Sequence, residues 1–162
     1  MMATTTITAE PGVPFIDITR EFDAPRSLLY RAFTEPELMS QWLGPRKYVT
    51  DIQANDVRDG GTWRFIHRDD TGAAYGFRGV FHGTPSPDGI LRTFEYEGAP
   101  GHVALESVLF DEHDGRTTVT THSVYQSVED RDAMIESGME TGVNEGYDRL
   151  DELVARSAAP VA

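Results

Sequence analysis

The chain of 162 residues contains no cysteine. That excludes disulfides, thiolate metal sites and a cysteine nucleophile, and it fits a reducing compartment, so a cytoplasmic location is expected. Basic residues are scarce: 14 Lys and Arg stand against 27 Asp and Glu, a net charge of −13. No basic cluster is present to neutralise a phosphate backbone, so nucleic acid is not an expected partner, and the acidity reads as solubility. No apolar run approaches the ~20 residues that a bilayer-spanning helix needs, so no membrane span is expected. The N-terminus lacks the basic-then-apolar pattern of a secretion signal. The five histidines, His67, His82, His102, His113 and His122, show no paired ligand spacing. Neither a phosphate-loop signature nor a nucleophile elbow occurs, so no metal and no cofactor are expected.

What is present is a hydrophobic fraction of 39%, enough for a core in a chain of one-domain length. No internal repeat or linker divides it. Residues 1–13 and 157–162 are polar or small and read as flexible tails around one domain, 14–156. The pattern from Phe15 to Phe22 puts Ile16, Ile18 and Phe22 on one strand face. Pro25 and Pro36 open two short helices, the second of which carries Trp42 and stops at Gly44-Pro45. Six strands follow, near 48–57, 61–68, 74–84, 91–96, 103–110 and 117–125. Short turn-rich breaks between them favour an antiparallel meander. Ser127 caps one long helix expected to run to about Arg156.

That helix is amphipathic, with Ile135, Met139, Val143, Leu150, Leu153 and Val154 on one arc and Glu140, Asn144, Asp148 and Asp151 opposite. Its buried arc also carries Gly138, Gly142 and Gly146, each costing about 1 kcal/mol relative to alanine. Two readings of these glycines stand side by side: close backbone approach, or volume vacated for a cavity. Trp63, Phe65 and His67 share one strand face, and Tyr75, Phe77 and Phe81 another. Glu106 alternates in phase with Ala104 and Val108. It is either a polar group inside a pocket or a sign that this strand's faces are reversed, since an inward carboxylate needs a partner.

Several ordered motifs carry a resemblance: Thr19-Arg-Glu-Phe-Asp-Ala-Pro25, Phe33-Thr-Glu-Pro36, Gln41-Trp-Leu-Gly-Pro45, Asp56-Val-Arg-Asp-Gly-Gly-Thr-Trp63, Gly79-Val-Phe81 and Ser137-Gly-Met139 with Gly142 and Leu150. From Phe15 to Arg156 the chain resembles the activator of heat-shock-protein-90 ATPase homologue-like family of the START-like (SRPBCC) superfamily. The resemblance implies an α+β helix-grip fold of the Bet v 1-like type: a strand, two short helices, a six-stranded antiparallel meander and a long C-terminal helix packed on the curved sheet. It also implies a small apolar ligand, of lipid or polyketide type, between sheet and helix. The cavity would be lined by Trp63, Phe65, His67, Tyr75, Phe77, Met139, Gly142, Val143 and Gly146, with Trp42 near the mouth; Glu106 joins the lining on the inward reading of its strand. Where the family often has two aromatics before Gly-Pro, this chain has Trp42-Leu43.

The leading expectation is therefore a binding protein without catalysis. A second is a cyclase-, aromatase- or hydrolase-like enzyme using His67 and Glu106. A third is an interaction domain without ligand, associated with a chaperone or forming a homodimer. Chaperone activators of the family carry a separate N-terminal domain, and only about a dozen residues precede the first strand here, which argues against chaperone contact.

Overall fold

Turn chemistry and period-two patterning place eight strands and four helices along the chain. The computed structural model describes residues 4–158. The elements are β1 (Thr6–Thr8), β2 (Phe15–Phe22), α1 (Arg26–Thr34), α2 (Pro36–Trp42), β3 (Val49–Asn55), β4 (Thr62–Arg68), β5 (Ala74–Val80), β6 (Gly89–Tyr96), β7 (Val103–His113), β8 (Arg116–Val124), α3 (Val128–Glu136) and α4 (Met139–Ala158). All eight strands form one antiparallel sheet in the order β1-β2-β8-β7-β6-β5-β4-β3. Strands β3 to β8 are the expected meander, and β2 returns to pair with β8 from Phe15↔Val124 to Phe22↔Thr117. The α+β helix-grip architecture read from the sequence is the one observed.

Alternation decides which residues face the helices. On β2, Ile16, Ile18, Arg20 and Phe22 are buried; on β8, Thr117, Val119, Thr121 and Ser123 are. The inward arginine is held at its tip. Arg20 donates from Nη1 to Asp148 (2.9 Å) and from Nη2 to Asp151, both on α4, and Nη1 also reaches Thr5 (3.0 Å). Asp148 and Asp151 thus do more than face solvent: they neutralise a buried cation, which would otherwise be costly.

Helices α1 and α2 form a saddle at one end of the sheet. Pro36 occupies the first turn of α2, where its missing N–H costs nothing. Trp42 is buried, and its indole N–H donates to the Ala32 carbonyl (2.8 Å). Its ring packs on Phe33 at 4.8 Å, and Phe33 meets Phe110 edge-on at 5.3 Å.

Two expectations need correction. The first concerns the tails. Thr6–Thr8 is a strand paired with Asp17–Thr19 of β2, and the final helix continues through Ala158, so neither 1–13 nor 157–162 is a tail throughout. The alternation of Thr with Ile7 suits a strand edge, and Ile7 packs against the core. Residues 1–3 and 159–162 lie outside the described residues. The second correction concerns the long helix, which is two helices. Ser127 caps α3 as expected, accepting from the Asp130 N–H (3.1 Å). Gly138 then adopts φ +88°, a left-handed conformation that ends α3 and that an L side chain resists. A Cβ there would meet nothing within 4 Å, so Gly138 is required by backbone conformation and not by packing. Arg131 fixes α3 by donating to the carbonyls of Glu10 (2.8 Å) and Phe15 (3.3 Å).

Candidate functional site

Between the inner sheet face and the helices lies a cavity of two lobes. The first, about 490 Å³, is enclosed by the sheet, the end of α2 and the first half of α4. The second, about 500 Å³, runs under α3 toward the β6–β7 turn. Tyr48, His67, Phe77, Phe94, Tyr125 and Met134 line both. At the outer end of the second lobe, His102 Nδ1 and Asp130 Oδ1 lie 2.9 Å apart, joining the β6–β7 turn to α3.

Most of the residues singled out in the sequence converge here. Trp42, Phe65, His67, Phe77, Glu106, Met139, Gly142, Val143 and Gly146 line the first lobe, and Tyr75, with His67 and Phe77, the second. Trp63 is the exception: it lines neither lobe. It is 2% exposed, stacked on Phe65 (5.6 Å) and capped by the Arg92 guanidinium 5.0 Å above its ring. The register explains this, since Trp63 pairs with Gly79, and a Cβ at Gly79 would fall 2.6 Å from the indole nitrogen. The missing side chain lets the indole sink into the sheet layer.

The two remaining glycines of the former single-helix stripe are close-approach positions that also border the void. At Gly146 a Cβ would lie 3.3 Å from the Trp42 carbonyl oxygen and 3.4 Å from the Gly44 nitrogen; at Gly142 it would lie 3.3 Å from Pro45 Cγ. Both readings therefore meet on one helix face.

His67 is held from two sides. The Thr50 hydroxyl donates to the Leu43 carbonyl (2.8 Å), so it accepts from His67 Nδ1–H (3.0 Å) and leaves Nε2 as the bare nitrogen. The imidazole stacks on Tyr48 at 5.3 Å and 9°. Gly44, at φ +86°, presses on the Cε1–Nε2 edge, where a Cβ would come within 2.5 Å. Burial, reinforced by the Arg149 charge, pushes the His67 pKa down to about 4, so the ring is neutral at physiological pH.

Arg92, Glu106 and Ser123 of the cavity lie on one transverse row of the sheet. Glu106 pairs in register with Arg92 of β6 on one side and Ser123 of β8 on the other. Arg92 Nε donates to Glu106 Oε1 (2.9 Å), and Nη2 lies 2.9 Å from the same oxygen. This settles the strand faces: Glu106 points inward and has a partner. Tyr147 of α4 and Tyr125, just beyond β8, add their phenols to the lining. Burial first, and then the Glu106 charge, raises the pKa of each to about 12, so both phenols stay protonated. The Tyr147 hydroxyl lies 3.5 Å from Thr121 Oγ1. His67 and Glu106 line the same lobe, yet no hydrogen bond joins them. His122 instead meets Asp17 (2.6 Å), and Arg78 meets Glu95 (3.1 Å). Sequence reasoning passed over Arg92, Tyr125, Tyr147 and Tyr48. Arg92 was visible as the inward partner of Ile90 and Phe94 at period two, and Tyr147 as the residue four beyond Val143.

A sheet gripping a terminal helix, with a cavity between them, defines the helix-grip class. The chain belongs to the family described as Activator of Hsp90 ATPase homolog 1-like protein, whose model matches residues 23–155. Solved structures share the fold. A crystal structure of a Rhodobacter sphaeroides protein is 24% identical, with 94% of this chain and 99% of that one covered at a TM-score of 0.86. An NMR structure of an Arthrobacter aurescens protein is 22% identical, covering 94% and 92% at 0.85. The crystal structure of protein Ms6760 from Mycobacterium smegmatis is 22% identical, covering 96% and 99% at 0.82. No curated protein matches the chain. Among the described residues no helix is long and apolar enough to cross a membrane.

Proposed function

We propose that this protein binds a small, mostly apolar molecule, of lipid or polyketide type, between the sheet and α4. The observation that carries this reading is the first lobe, whose ~490 Å³ falls within the ~300–1,000 Å³ of small-molecule sites. Its walls support it further: Ile16, Phe65, Phe77, Phe94, Met139 and Val143 supply apolar surface, and the charged Arg92 and Glu106 neutralise one another. A neutral His67 adds no charge to that surface. The half-buried stretch Met139–Val143 gives the ligand a wall that moves at little cost, because few buried side chains anchor it.

The test is titration with N-phenyl-1-naphthylamine, an uncharged probe whose fluorescence rises in apolar surroundings. Wild-type protein is expected to bind it, and Gly142→Leu, which fills the first lobe beside Pro45, to lose at least tenfold in affinity while keeping its circular dichroism spectrum. A wild-type protein that leaves the probe dark, or a Gly142→Leu variant that binds it normally, would overturn the reading.

A further inference from the structure

The floor of the first lobe contains an ion pair that is only half used. Arg92 directs both Nε and Nη2 at one oxygen, Oε1 of Glu106. No hydrogen bond from the described residues reaches Glu106 Oε2 or Arg92 Nη1. Neither side chain is sealed in protein: Arg92 is 12% and Glu106 18% exposed, and both line the cavity. A structural ion pair at such a position would be expected to close both oxygens in a fork. This one leaves Glu106 Oε2 as a free acceptor in a cavity that Thr121, Ser123, Tyr125 and Tyr147 also line.

We propose that Arg92 and Glu106 recognise an uncharged hydroxyl group, alcohol or phenol, on the apolar molecule bound in the cavity. This rests on the cavity-binding reading above and assigns the polar end of its ligand. The chemistry follows from the charges. The pair sums to zero and so exerts little net pull on an ion. A carboxylate brought to Oε2 meets a like charge, and a cation meets Arg92. A hydroxyl suits the free carboxylate oxygen: it donates its proton to Glu106 Oε2, while Arg92 holds the other oxygen and balances the charge. A carboxylate oxygen left in an apolar void costs free energy unless bonded, so a ligand that donates to Oε2 gains over one that does not. The arginine is also pre-set, because its guanidinium is clamped over Trp63, and little side-chain freedom is lost on binding.

Three probes with one ring system separate the cases at pH 7: naphthalene, 2-naphthol and 2-naphthoate. Their affinities for wild-type protein and for the variants Glu106→Gln and Arg92→Met/Glu106→Gln are measured by calorimetry or by competition with N-phenyl-1-naphthylamine. The expected result is that wild type binds 2-naphthol about tenfold tighter than either of the others. The double variant would lose that preference while holding naphthalene as before. Glu106→Gln keeps the side-chain shape, so it stands in if the double variant fails to fold, and it is expected to lose part of the preference. Equal binding of all three probes to wild type, or a preference that survives both substitutions, would overturn this inference and leave cavity binding intact. Tightest binding of 2-naphthoate would overturn it in favour of an anion site. Binding of none of the three would overturn both readings.

Discussion

Helix α4 buries Leu150, Leu153 and Val154 almost completely in its C-terminal half, whereas Met139, Gly142 and Val143 in its N-terminal half are only half-buried above the cavity. The same amphipathic pattern runs through both halves. What differs is what faces it. From Tyr147 onward the helix meets the saddle and the core, with Tyr147 edge-on to Phe22 at 5.5 Å and Asp148 and Asp151 closing on buried Arg20. The N-terminal half spans open volume and is joined to α3 through the left-handed turn at Gly138. One half therefore holds the fold and the other roofs the site, so substitutions should separate stability from binding according to where along the helix they fall.

The largest effect is expected at the anchored end. Leu150 is fully buried, and Leu150→Ala should cost about 3 kcal/mol in urea unfolding through lost burial and an unfilled cavity. A loss under about 1 kcal/mol would break the comparison. Gly146→Leu should follow at about 2 kcal/mol, because its side chain meets backbone of Trp42 and Gly44 that cannot yield. Gly142→Leu meets only the Pro45 ring and gains helix propensity, so its stability should change by less than about 1 kcal/mol while ligand uptake falls.

His67 sharpens the contrast through pH. Its folded pKa of about 4 lies below the unfolded value of 6.5, so between those values the unfolded chain holds a proton that the folded chain refuses. The stabilisation is complete above pH 6.5 and is lost as pH falls toward 4. Between pH 7 and pH 5 it should amount to about 1–2 kcal/mol, allowing for solvent reaching the cavity. The loss over that interval should be smaller by this amount in His67→Gln, as read by urea unfolding at the two pH values. The smallest effect belongs to the roof: Val143→Ala should cost under about 1 kcal/mol, since Val143 is only partly buried.

Much of this was legible because local patterning and burial agree. Period two exposed the inward faces of β2 and β4, proline and glycine marked the saddle, and only the inward Glu106 left the faces of β7 open. Three features escaped for physical reasons. Gly138 has the spacing of a helical glycine, and only its left-handed dihedral, which periodicity cannot register, reveals the break. Trp63 has the phase of a cavity residue, but Gly79 across the ladder lets it sink into the core, which depends on register between strands. The partner of Glu106 lies on a different strand, 14 residues away, and pairing of that kind follows from topology.

On the proposed function, the space under the N-terminal half of α4 takes up an apolar molecule. The most direct measurement is the amide spectrum of ¹⁵N-labelled protein titrated with N-phenyl-1-naphthylamine. The expected result is saturable shifts at Phe77, Tyr125, Met139, Gly142 and Val143, with Leu105 and Leu109 on the outer sheet face unmoved. Shifts confined to that outer face, or no saturable shifts at all, would contradict it.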